Sequence, residues 1–248
     1  MIKILPELKI KYRPDVVLAN VENLANGKGV TAKTLTEMRK IGIDCFTSGN
    51  HVWKKENVDD AIELSQSNLI TPANDPRTPG HQGFKILPIG GRKLLVINLL
   101  GRVFINEADL RCPFKEIDLI LARPDMPKIN AVIVDLHAEA TSEKIAMGWY
   151  LDGRVSAVIG THTHIPTADV KILPQGTGYI TDIGMVGPAD SVLGVKKEII
   201  IEKFLNDSPI VFKIPESGEV EINALFTETD DKTKMAVKIE KIQEKVYI

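Results

Sequence analysis

The sequence predicts an α/β protein built on a largely parallel sheet, and three observations carry the prediction. Apolar runs, each broken by a single polar residue, recur at 16–21, 131–136 and 155–159, as in strands covered on both faces. Helical patterns separate them. Each run also hands over polar side chains at its C-terminal end, where open sheets gather their chemistry.

The elements follow in order. Ile4, Leu5, Leu8 and Ile10, set among lysines, predict an amphipathic helix that ends before Pro14. Segment 16–21 is a buried strand, and Asn26-Gly27-Lys28-Gly29 a loop. Segment 31–41 reads as a helix, with Leu35, Met38 and Ile41 on one stripe and Gly42 stopping it. A short strand at 43–47 and a helix at 57–65 complete an alternating pattern. Residues 72–83, rich in Pro, Gly, Asn and Asp, form a loop. Segments 84–88 and 93–99 pair across Gly90-Gly91. A short helix at 118–122 precedes Pro124, and a helix at 142–149 separates the strands 131–136 and 155–159. More sheet is expected at 171–173, 178–181 and 211–214, a helix at 198–205, and a hairpin of 220–227 with 235–242. With no repeat, low-complexity tract or linker, one domain over 1–248 is the simplest account.

Bulk properties narrow the function. A chain of 248 residues with 31 basic and 33 acidic side chains carries a net charge of −2, which argues against a broad nucleic-acid-binding face. Two cysteines, Cys45 and Cys112, make no disulfide framework and fit a reducing cytoplasm. The first ten residues place charges inside every short apolar run, unlike a signal peptide. No apolar stretch approaches the ~20 residues of a membrane span. A homo-oligomer is compatible with all of this.

Four of the five histidines stand beside small and polar residues at strand ends. His51 closes Thr47-Ser48-Gly49-Asn50-His51. His137 ends the run 131–136. His162 and His164 lie in Gly160-Thr161-His162-Thr163-His164, and segment 16–21 delivers Glu22-Asn23. Imidazole, carboxylate and amide together suggest a divalent transition-metal site. His162 and His164, two apart in an extended segment, would face the same way. Any single piece reads equally well as turn filler; the set does not. Among other residues, Lys28 between two glycines places an ammonium near phosphate, whereas a plain loop is the bland reading. Arg102 reaches substrate phosphate or lies on the surface. Thr141 and Ser142 suit a helix cap better than a nucleophile, and His81 suits a solvated loop. Trp53 and Trp149 belong to the core by default, or stack a base.

The order Glu22-Asn23, Gly49-Asn50-His51, His137, Gly160-Thr161-His162-Thr163-His164 resembles the calcineurin-like binuclear metallophosphoesterases. Asn20-Val21-Glu22-Asn23 with Gly27-Lys28-Gly29, Gly49-Asn50-His51-Val52-Trp53, the run 135–144 and the run 179–185 are similar to their bacterial YmdB-like branch. That resemblance implies a four-layer α/β/β/α sandwich with two divalent metals, Fe or Mn or alternatively Zn, at one sheet edge. It implies that Glu22 bridges them, that Asn50, His137 and His162 complete one site, and that Asn23 and His164 hold the other. It gives His51 the part of phosphate contact or general acid, and it implies a small phosphodiester, a cyclic nucleotide, as substrate.

Two departures stand out. Relatives open with an apolar strand ending in Gly-Asp, whose aspartate binds the first metal. Nothing before Pro14 supplies it, and Asp15 lies at the wrong end of its strand. The resemblance therefore implies a site at Asn23 and His164 that lacks a second carboxylate. It also implies either a start inside a longer reading frame, the favoured expectation, or a variant that hydrolyses poorly. Val52 follows His51 where many relatives carry an acid, which leaves Glu139 or Asp182 as substitutes that could orient that ring. Two other readings remain: a metal- or nucleotide-binding regulator with little catalysis, and a barrel amidohydrolase using His162 and His164 as its metal pair.

Overall fold

The computed structural model describes residues 2–55, 58–63, 68–80, 82–207, 209 and 211–248. Its largest sheet has six strands: β3 (Phe84–Ile89), β4 (Arg92–Leu100), β5 (Ala131–His137), β6 (Ala157–Thr161), β7 (Lys171–Ile172) and β8 (Gly178–Ile180). Their order is β3-β4-β5-β6-β8-β7, with the four inner strands parallel and both edge strands antiparallel. The inner strands carry the apolar runs, as a sheet buried on both faces requires. A second, two-stranded parallel sheet pairs β1 (Leu18–Asn20) with β2 (Cys45–Thr47).

Side-chain alternation on β4 shows how the layers stack. Leu95, Ile97 and Leu99 pack on Ile117 and Ile120 of α4 (Pro113–Leu121) and on Met147 and Leu151 of α5 (Thr141–Leu151). Leu94 and Val96 point the other way, onto Cys45, Ile70 and Leu18 of the small sheet. The far face of that sheet, Phe46 and Ala19, is covered by Leu35 of α2 (Ala32–Lys40), by Val58 and Ala61 of α3 (Val58–Glu63) and by Leu5 of α1 (Leu5–Tyr12). The layers run helix, sheet, sheet, helix. Each fully buried Leu, Ile or Phe in them contributes roughly 1.5–3 kcal/mol. Leu8, one turn further along α1, packs on Ile222 and Ile242 of the terminal hairpin, β10 (Glu219–Thr229) and β11 (Ala236–Tyr247). The short β9 (Val186–Pro188) pairs with β10.

Three expectations need correction. The helix expected at 118–122 starts five residues earlier, because Pro113 occupies its first turn, where a missing N–H costs nothing. Segment 211–214 is no strand. Its composition is strand-like, but Val211, Phe212 and Ile214 are exposed, and among the described residues its backbone bonding to other segments is Lys196 N–H to Lys213 O. Thr141 and Ser142 do not cap α5: Ala140 holds the N-cap position and makes no side-chain bond. The helix expected at 57–65 is described over Val58–Glu63, and residues 57, 64 and 65, like His81, lie outside the described residues. The sheets are open, which removes the barrel reading. No helix among the described residues is long and apolar enough to cross a membrane. Cys45 and Cys112 are both free.

Candidate metal centre

The two facing sheets present their C-terminal ends on the same side. Leu100, His137 and Thr161 align across β4, β5 and β6. Opposite them, Val21 N–H donates to Thr47 O at 2.9 Å, holding the ends of β1 and β2 together. Asn20 crosses the gap, its Nδ2 donating to Asp135 Oδ2 at 3.0 Å. Thr47 Oγ1 also donates to Asp135, and Thr161 Oγ1 does so at 2.7 Å. Burial pushes the Asp135 carboxyl above its usual range, against these donors.

This network sets the His137 ring. Thr161 spends its proton on Asp135, so its oxygen accepts His137 Nδ1–H at 2.9 Å. His137 Nε2 faces Glu22 Oε2 2.8 Å away, a spacing that takes a proton or a cation between them. Glu22 is only 3% exposed, and its Oε1 accepts His51 N–H at 3.0 Å. Burial alone would raise its pKa; the neighbouring His137 ring and the His51 N–H outweigh that and hold the carboxyl at about 2. His162 Nδ1 lies 3.0 Å from His137 Nε2, the two rings edge to face. Glu139 Oε2 is 2.9 Å from His162 Nε2, which fixes the proton there and turns Nδ1 inward. Burial and the His137 ring push the His162 pKa down.

One oxygen of Glu22 and one nitrogen each of His137 and His162 thus lie within 4.8 Å of one another. Such crowding of lone pairs is unfavourable without a proton or a cation among them. Gly49 packs on the His137 ring, and the next residue, Asn50, has a buried Oδ1 with no hydrogen-bond partner. An orphaned buried acceptor costs about 1–3 kcal/mol, and a cation removes that cost. On the other flank, Asn23 bridges two rings: Oδ1 is 3.2 Å from His51 Nδ1 and Nδ2 3.1 Å from His164 Nε2. His164 Nδ1 is likewise buried and unpartnered. His162 and His164 adopt φ of 108° and 67°, rare for L residues and costing of order 1–3 kcal/mol each. The donor set and its orphans fit a divalent metal.

Other expected residues surround this centre. The 22–29 loop closes on itself, with Gly29 N–H donating to Glu22 O at 2.6 Å, and Gly29 packs against His51 O and Lys55. Lys28 is thereby close enough to help depress the His51 pKa, although burial does most of that. Gly101 N–H donates to His137 O at 2.9 Å, so Arg102 starts beside the centre with its side chain exposed. The buried Glu143 carboxylate accepts the N–H groups of Arg102 and Val103. The expected acid partner of His51 is not found. Glu139 serves His162, and Asp182 pairs with Lys144; Val52 is buried core, and His51 faces Asn23 and, at 3.7 Å, Glu22. Trp53 donates to Asp75 Oδ2 and lies beneath the Arg77 guanidinium, so one of its faces is taken. Trp149 is exposed on α5. Asp15 is exposed at the opposite end of β1.

A family model for YmdB-like proteins matches residues 1–242. The chain belongs to that family. It is 46% identical over 238 residues to the 2',3'-cyclic-nucleotide 2'-phosphodiesterase of Bacillus subtilis (strain 168), covering 96% of this chain and 88% of that YmdB-like relative. The crystal structure of a novel phosphatase from Mycoplasma pneumoniae superposes with a TM-score of 0.89 at 34% identity, covering 98% of this chain and 87% of the other. That of a hypothetical protein from Thermus thermophilus gives 0.86 at 38% identity, covering 97% and 91%. A 5'-nucleotidase precursor from the same organism, at 10% identity and a TM-score of 0.54, covering 98% and 48%, shares the fold alone. The sandwich implied by the sequence resemblance is the one observed.

Gly49 offers a local test of this YmdB-like centre. Its φ of −154° is ordinary extended backbone, but a Cβ there would stand 2.3 Å from His137 Nε2. Gly49→Ala is expected to displace that ring and weaken Mn²⁺ binding about 10- to 100-fold, as loss of a ligand's support does. Isothermal titration calorimetry reads the change directly; an unaltered affinity would separate Gly49 from the centre.

Proposed function

We propose that this YmdB-like chain is a metal-dependent phosphoesterase acting on small phosphodiesters, with cyclic nucleotides as its substrates. The observation that carries the reading is the convergence of Glu22, His137 and His162 beside the unpartnered Asn50 oxygen. The phosphodiesterase and phosphatase names of its relatives support it. Glu22, Asn50, His137 and His162 would hold one cation; Asn23 and His164, sharing Glu22, would hold the second. Two divalent ions, Fe or Mn or alternatively Zn, supply Lewis acidity and a hydroxide nucleophile near neutral pH. Neutral imidazoles and amides complete the shells without surplus negative charge.

The chain's own residues then bind and orient the substrate. Thr161 and Glu139 hold His137 and His162 in the tautomers that face the centre. An Asn23 amide turned with its oxygen towards His164 offers its NH₂ to His51 Nδ1, which leaves the ring proton on Nε2. His51, 30% exposed, then presents an N–H donor to a phosphate oxygen without carrying charge. Lys28 and Arg102 add cationic donors at the rim. One domain over 1–248 in a reducing cytoplasm suits two free cysteines.

The test is metal removal. Chelator-stripped protein is expected to hydrolyse neither bis-p-nitrophenyl phosphate nor 2',3'-cyclic AMP, and added Mn²⁺ or Fe²⁺ to restore both. Protein that turns over neither substrate with any of these metals would overturn the reading. One observation favours the regulatory alternative: among the described residues, the cluster of Glu22, His137 and His162 does not include His164. Stoichiometric binding of one metal per chain without hydrolysis would mark that alternative.

A further inference from the structure

Behind the His162-Thr163-His164 turn lies an ion pair that the proposed chemistry does not use. Lys144 Nζ donates to Asp182 Oδ2 at 2.7 Å, and each side chain is 1% exposed. Lys144 comes from α5, and Asp182 follows β8. A buried pair of this kind rarely stabilises a fold more than apolar residues of the same size would, so its presence calls for another task. The remaining bonds of Asp182 point to one. Its Oδ2 also accepts Thr163 N–H at 3.0 Å, and its Oδ1 accepts Gly184 N–H at 2.9 Å. Thr163 is the residue between the two histidines with positive φ. Further stitches join the same strands: Ile183 N–H donates to Gly160 O and Met185 N–H to His164 O, both at 3.0 Å. Gly160 permits the approach, since a Cβ there would lie 1.7 Å from Thr181 O.

We propose that the Asp182 carboxylate, neutralised by Lys144, is a positioning residue: by holding the Thr163 N–H it keeps the strained turn in the shape that turns both imidazoles inward, and cation affinity depends on it. The inference rests on the metal-centre reading. Lys144→Met/Asp182→Leu removes pair and acceptor together, whereas Lys144→Met/Asp182→Asn removes the charges but leaves an oxygen for Thr163 N–H. In metal-free form both double variants are expected to fold, neither leaving an unpaired buried charge, with the leucine variant melting a few degrees lower because the Thr163 and Gly184 N–H groups lose their acceptor. By calorimetric titration the asparagine variant is expected to bind Mn²⁺ within about 3-fold of wild type, and the leucine variant about 10- to 100-fold more weakly. Should the leucine variant fail to fold, Lys144→Met/Asp182→Ala carries the same comparison. Equal Mn²⁺ affinity in the two doubles, alongside normal wild-type binding, overturns the clamp alone. A wild-type chain that binds no Mn²⁺ overturns the centre and the clamp with it.

Discussion

Glu22→Gln will strip the protein of metal and lower kcat/KM about a thousandfold. The substitution keeps the shape of the side chain, and its remaining oxygen can still accept His51 N–H. It removes the one carboxylate among the three groups that converge, so two cations would face each other across neutral ligands. A thousandfold loss corresponds to about 4 kcal/mol of transition-state stabilisation, the size of a full electrostatic contribution. Elemental analysis and kcat/KM for bis-p-nitrophenyl phosphate check both halves; a variant with two metals and activity within tenfold of wild type would contradict the assignment. The same carboxylate links the metal-free protein to pH. Its pKa is held at about 2 against 4.5 for a free Glu. The folded value is the lower one, so the stabilisation is fully present above pH 4.5 and is lost as pH falls towards 2. The gap is equivalent to about 3 kcal/mol, and the metal-free Glu22→Gln variant should lack that part of the acid sensitivity in urea titrations.

His51→Ala is expected to lower kcat about a hundredfold while leaving the metal content unchanged. The ring lies 3.7 Å from Glu22 but outside the converging trio. Positioned donors of this kind are worth 10²–10⁴-fold. Burial, with Lys28, His137 and Lys54 nearby, pushes the His51 pKa below 6.5 despite the attraction of Glu22. The shift favours the neutral ring, so wild type and variant should show pH–rate profiles of the same shape on the alkaline side of neutrality. An alkaline decline present in wild type and absent from His51→Ala would instead make His51 the general acid.

What the sequence showed clearly was whatever a single strand carries by itself. Glu22-Asn23, Asn50-His51, His137 and His162 each follow their own apolar run, and of these Glu22, His137 and His162 are brought together by the fold. Partnerships were not legible. Glu139 and Asp182 both looked like candidates to orient His51, and the fold gives one to His162 and the other to Lys144. A carboxylate's partner depends on how distant segments meet, which no local spacing encodes. Asp135, inside an apolar run, is the one local hint of the Thr161–His137 hydrogen bonding. The early start of α4 was misjudged because a proline reads as a breaker unless it occupies the first turn. Segment 211–214 shows the reverse error: strand-like residues need a neighbouring strand before they form one.

The Asn20–Asp135 bond marks where the two sheets meet, and the candidate ligands come from both sides of that seam. Glu22 and Asn50 extend from the smaller sheet, His137 and His162 from the larger. Any ion lodged there rivets the halves together, and mass action lends the native chain about 4 kcal/mol when the free ion stands a thousandfold above its dissociation constant. Starvation for metal would thus be felt as loosened architecture as well as lost turnover, beginning at the rivet and spreading along the interior between the sheets.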